Sequence, residues 1–128
     1  MAIIQAYGGE RLPNSARLSA AQAGNGVSTH SVDRGAATER PALLTLTTTV
    51  GATPTCTYAI EGSADGTGWW PVSYADPATP ETPTVEPLTL TTAGTVRRIL
   101  RPGQPWRVLR LTYSANTNVT NTADLTVF

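Results

Sequence analysis

His30 and Cys56 are the single histidine and the single cysteine of the chain, and a thiol–imidazole pair or a nucleophilic triad would need both beside a third, orienting group. They stand far apart in sequence, and no Gly-x-Ser-x-Gly elbow, phosphate-binding glycine loop or pair of catalytic carboxylates accompanies either. A metal site would have to use carboxylates alone or borrow ligands from a partner. Asp65, within Ser63-Ala64-Asp65-Gly66-Thr67-Gly68, has something of a calcium loop, but the regular acidic spacing is missing and an Asp-Gly turn accounts for it. Asn118-Val119-Thr120 fits a glycosylation acceptor, which needs a secretory route. These residues predict no enzyme, no metal and no cofactor: His30 reads as an exposed or strand-face histidine and Cys56 as a small buried hydrophobe.

What remains is contact chemistry. Trp69 and Trp70 are adjacent, and consecutive strand residues point to opposite faces, so one ring is expected in the core and the other exposed or covered. The cover would be the proline-rich loop or N-terminal arm, a protein partner, or a stacked sugar. Net charge is zero, nine acids against nine arginines with no lysine, which gives no general attraction for nucleic acid or an anionic membrane. Arginine alone favours protein contacts, although a GC-rich genome would give the same bias. The charges are segregated. Residues 61–86 hold five acids and no base (Glu61, Asp65, Asp76, Glu81, Glu86), and residues 97–110 hold five arginines and no acid (Arg97, Arg98, Arg101, Arg107, Arg110). Such blocks pair either within one molecule or between copies, the latter suiting a closed homo-oligomer such as a trimer. The candidate interface residues are therefore Trp69, Trp70, Arg97, Arg98, Arg107 and Arg110.

The elements that must position these residues are strands. About a sixth of the 128 residues are threonine, which with Val, Tyr and Trp favours pleated, half-buried surfaces, and 11 Gly with 10 Pro supply turns. A lone cysteine forms no internal disulfide, and this length buries a core without one. Residues 1–13, with Gly8-Gly9 and Pro13, carry no apolar period and read as an extended arm ahead of a single domain over 14–128. Met1–Tyr7 has neither the basic start nor the apolar core of a signal peptide, and no run approaches a membrane span, which predicts folding in a bacterial cytoplasm.

Residues 15–23 suit a short helix capped by Asn14, whereas 17–23 suit, better in this context, a hairpin partner of 27–32 across Asn25-Gly26. Residues 42–50 place Leu44, Leu46, Thr48 and Val50 on one face, and 55–62 place Cys56, Tyr58 and Ile60 on one face; the short link 51–54 predicts a hairpin between them. The Asp65-Gly66 turn leads to a strand over 69–74, with Pro71 at an edge or bulge. Residues 76–87 carry four prolines and read as a stiff solvated loop. Ala93-Gly94 predicts a hairpin between 88–92 and 95–100, and strands over 106–115 and 122–128 close the domain across a polar loop. The expected fold is all-β: a two-sheet antiparallel β-sandwich of about 7–9 short strands.

The run Leu44-Thr45-Leu46-Thr47-Thr48-Thr49-Val50-Gly51-Ala52-Thr53-Pro54, the strand ending Glu61-Gly62-Ser63-Ala64-Asp65-Gly66-Thr67-Gly68-Trp69, and the return Trp106-Arg107-Val108-Leu109-Arg110-Leu111 resemble small β-sandwich proteins of tailed bacteriophages. The likeness spans roughly residues 42–113; the proline-rich loop and the doubled tryptophan depart from it. The resemblance implies a virion structural protein with no catalytic residues. Small size, zero net charge and an arm suit a capsid decoration protein that ties capsomers together by many modest contacts with the major capsid protein. A head–tail connector or tail component is the alternative within that class, and a carbohydrate-binding module using Trp69 or Trp70 the alternative outside it.

Overall fold

Period-two apolar alternation along 42–50 and 55–62 builds strands whose even-numbered residues share one buried face, except Val50, which is exposed where the strand reaches its bend. In a computed structural model, which describes residues 14–35, 38 and 40–128, every regular element is a strand of one antiparallel sheet. The nine are β1 (Asn14–Ala23), β2 (Gly26–Val27), β3 (Val32–Asp33), β4 (Ala42–Ser63), β5 (Trp70–Pro71), β6 (Tyr74–Ala75), β7 (Leu88–Leu90), β8 (Gly94–Leu100) and β9 (Val108–Val127). The expected all-β antiparallel class is what is found. The arm proposed for residues 1–13 lies outside the described residues.

The sheet is folded in half, and its crease explains where the expected hairpins fail. β4 is 22 residues long and β9 is 20, and they pair along nearly their whole lengths, from Ala42↔Val127 to Ser63↔Val108. The register slips between Val50 and Thr57, where Thr53 (φ 44°), Ala115 (φ 50°) and Asn118 (φ 55°) take left-handed backbone. Bulged positions of this kind bend a strand pair sharply. Residues 42–50 and 55–62 are therefore one continuous strand rather than a hairpin, and 106–115 and 122–128 likewise belong to one strand. The other two expected hairpins fail in the same way. β1 pairs with Asn121–Val127 of β9 while β2 pairs with Tyr113 and Thr112, so Asn25-Gly26 carries the chain from one half to the other. β7 pairs with Cys56–Tyr58 of β4 while β8 pairs with Ala42–Thr48, so residues 91–93 do the same. Gly and Asn serve a crease as well as a tight turn, because both need left-handed or unusual backbone.

The two halves face each other across the core. Leu44, Leu46, Ala123 and Leu125 come from one half, and Cys56, Tyr58, Ile60, Leu109, Leu111 and Tyr113 from the other. The Tyr58 hydroxyl donates to Asn121 Oδ1 at 2.6 Å, and the Tyr113 hydroxyl donates to Ser19 Oγ at 2.7 Å, each bond spanning the two layers. The Tyr58 and Tyr113 rings meet edge to face, with centroids 5.6 Å apart. Among the described residues no buried side-chain polar atom lacks a partner.

At the end opposite the crease, the Asp65-Gly66 turn returns the chain to β4, but the single strand expected over 69–74 is broken at Val72-Ser73: β5 pairs with Glu61 and Gly62 of β4, with Pro71 on the sheet edge, while β6 crosses to pair with Ile99 and Leu100 of β8. Residues 76–87 form turns, tied to Tyr74 by a bridge from Thr84 and by the Tyr74 hydroxyl, which donates to the Glu86 carbonyl.

Candidate interaction surface

Trp69 and Trp70 sit at this open end, and their environments reverse the simple alternation argument. Trp70 pairs with Gly62, whose neighbours on the same face, Tyr58 and Ile60, point into the core; register thus places Trp70 on the inward side. It is nevertheless 58% exposed. The room it would fill is taken by Trp106, which rests directly on Gly62, and by Val72, which is 1% exposed. Trp69 lies on the outer side, half-buried beneath the Arg110 guanidinium, whose carbon is 3.9 Å from the ring centroid. Neither tryptophan enters the core. The expectation of one buried ring fails because a third tryptophan, distant in sequence, already seals the end.

The arginines divide into engaged and free. Arg110 Nε donates to Glu61 Oε1 at 2.9 Å, and Thr112 Oγ1 donates to the same oxygen at 2.6 Å, so Trp69, Arg110, Glu61 and Thr112 form one cluster on the outer face. Arg107 grips Asp33 with both Nε and Nη2, at 2.8 and 2.9 Å, and this grip, helped by the Gly35 N–H, holds the Asp33 carboxyl below its ordinary range. Arg98 lies 3.7 Å from Asp76 and donates at 2.7 Å to the Arg97 carbonyl. Three of the four candidate arginines are thus paired with acids of the same chain, two of them with acids of the 61–86 block. Arg97 is exposed and has no ion pair among the described residues; Arg101, Glu81 and Glu86 share that condition.

Arg34, which sequence reasoning passed over, is 2% exposed and donates to the carbonyls of Trp106, Arg40 and Gln104 at 2.8, 3.3 and 3.3 Å. It ties the 104–106 segment, and with it Trp106, to the sheet. These three acceptors are backbone carbonyls, which no side-chain motif signals in the sequence.

The residues considered for chemistry stay apart. Cys56 is fully buried, and desolvation pushes its thiol up. His30 is exposed beside a groove of about 450 Å³ lined by Ala16, Arg17 and Asp33. The Asp65 carboxylate accepts the N–H groups of Thr67 and Gly68 and the Ser63 hydroxyl, which hold it well below its usual range while fixing the turn. No group of three or more His, Cys, Asp or Glu side chains is gathered to hold a metal ion among the described residues. A second cleft, of about 560 Å³, opens at the crease between Gly24, Val50, Gly51 and Asn118.

An all-β antiparallel sheet folded on itself is the fold class that the structure defines. No protein-family model and no curated protein sequence matches the chain. Among solved structures it is similar to the SPBc2 prophage-derived protein YomS, at a TM-score of 0.60 and 10% identity, over 92% of this chain and 96% of that one. At that identity the likeness establishes a shared fold.

Proposed function

We propose that the chain is a structural protein of a bacteriophage virion, a capsid decoration protein that binds the outside of the assembled head and ties neighbouring capsomers together. The observation that carries this reading is the fold shared, across nearly the full length of both chains, with a prophage-derived protein. The phage pattern of residues 42–113 supports it independently of the coordinates. Trp70 is the anchor in this reading: a 58% exposed indole on a rigid strand, at the open end of the folded sheet. Aromatic anchors of this kind dominate protein–protein contacts because they bury much apolar area at little entropic cost. Trp69 supports that end from beneath Arg110 instead of meeting a partner. The function is non-catalytic in this account, needs no metal or cofactor, and involves neither nucleic acid nor a membrane; among the described residues no helix is long and apolar enough to cross one. The protein is made in the host cytoplasm and resides on the virion.

The test is to purify virions of the phage that encodes the chain, quantify it by mass spectrometry, and locate it with gold-labelled antibody. Labelling over the head surface supports decoration. Label confined to the tail or neck would replace it with a connector or tail role, and absence from virions would refute both. Saturable binding to a glycan array, abolished by Trp70→Ala, would support a carbohydrate-binding module instead.

A further inference from the structure

The two long edges of the folded sheet differ. On the edge formed by β1 and β3, the exposed charges are paired: Arg17 with Asp124 at 2.9 Å and Arg107 with Asp33 at 2.8 Å. The β8 edge and the loop beside it hold one ion pair, Arg98 with Asp76 at 3.7 Å. There Arg97, Arg101, Glu81 and Glu86 are all exposed, and none has an ion pair among the described residues. Val85, 52% exposed, sits between the loop bridge at Thr84 and Glu86.

This edge stays open for an identifiable reason. β6 pairs with β8 through Tyr74↔Leu100 and Ala75↔Ile99, and the next residues in that register would be Asp76 beside Arg98 and Pro77 beside Arg97. Asp76 does reach Arg98, but proline has no N–H to continue the ladder, and the chain turns away. Gly94–Arg97 is left without a strand on that side among the described residues. The Arg98 guanidinium blunts this stretch by capping the Arg97 carbonyl. The edge is therefore suited to side-chain contact and guarded against strand addition.

We infer that the β8 edge, with Val85 at its centre, binds a second copy of this chain about a two-fold axis, Arg97 and Arg101 of each copy meeting Glu81 and Glu86 of the other. Glu86 follows the Thr84 bridge to Tyr74, which pairs with Leu100 beside Arg101, so exposed, unpaired charges of both signs flank the β6–β8 pairing, as an isologous, self-complementary contact requires. A partner of a single sign would leave half of the patch opposed to like charge. Within the basic block, Arg107 and Arg110 are engaged with acids of their own chain, which leaves Arg97 and Arg101 for contact between copies.

Light scattering on the purified full chain, without any virion component, separates this inference from the decoration reading. The wild type is expected at twice 13.4 kDa, dissociating as salt is raised. The Arg97→Glu/Arg101→Glu variant and the Glu81→Arg/Glu86→Arg variant are each expected as monomers with an unchanged circular dichroism spectrum. Mixed in equal amounts, they should form a heterodimer, because each supplies the sign that the other lacks. Val85→Asp should give a folded monomer and serves as the alternative if a charge variant does not fold. A monomeric or trimeric wild type, a charge-reversed variant that keeps the dimer mass, or a mixture that stays monomeric would overturn the inference. So would a monomeric wild type whose charge variants lose binding to phage heads, which would assign the edge to the shell.

Discussion

Trp106 lies so close over Gly62 that a Cβ placed on Gly62 would come 2.4 Å from Trp106 Cβ and 2.9 Å from Val72 Cγ2. This contact closes the open end of the core and, in doing so, expels Trp70 to the surface. The account predicts that Gly62→Ala destabilises the fold by about 2–3 kcal/mol, as overpacking against backbone-near atoms does. Urea unfolding monitored by tryptophan fluorescence checks it; an unchanged midpoint would mean that the end is loosely packed.

The Tyr58–Asn121 bond is buried between the layers, so Tyr58→Phe leaves the Asn121 side-chain oxygen without its donor. The expected loss is about 1–3 kcal/mol, the desolvation cost of a stranded acceptor. A double-mutant cycle with Asn121→Ala should recover part of it, and additive losses would contradict the coupling.

Alkaline pH should act through the same layer. Burial pushes the Tyr113 hydroxyl up to about 12 and raises that of Tyr58 further. A raised tyrosine favours the folded state fully below the unfolded value of about 10, and that contribution is lost as pH climbs through the folded one. Denaturant-derived stability should therefore fall between roughly pH 10 and 12. Tyr113→Phe should make the decline shallower; an identical slope in the variant would show that other groups govern it.

At the crease, Thr53 holds a φ of 44°, a backbone region costly for a β-branched residue and tolerated by asparagine. Thr53 is exposed, so Thr53→Asn is expected to stabilise the protein by about 0.5–1 kcal/mol. A lower melting temperature for the variant would mean that the threonine side chain itself stabilises the bend.

The strands were legible because their period is local. Leu44, Leu46, Cys56, Tyr58, Ile60, Leu109, Leu111 and Tyr113 can be assigned to the core from alternation alone, and all are buried. The connectivity was not legible. Gly51-Ala52-Thr53-Pro54 and Ala93-Gly94 have turn chemistry, and the same chemistry creases a sheet; which one occurs depends on whether the flanking strands find β9 and β4 or each other. Site residues divide in the same way. The outward placement of Trp69 and the exposure of Trp70 follow from Trp106, Gly62 and Arg110, contacts between residues far apart in sequence. The acidic and basic blocks were visible as blocks, but Asp33 as the partner of Arg107 came from outside both.

The proposed attachment is to the phage head through the open end. Its most direct measurement is quantitative co-sedimentation of the protein with purified heads that lack it, comparing wild type with Trp70→Ala. Saturable binding by the wild type is expected at a fixed number of sites per head, with an affinity about 30-fold weaker for the variant, equivalent to about 2 kcal/mol. Failure of the wild type to sediment with heads, or equal binding by wild type and variant, would contradict it.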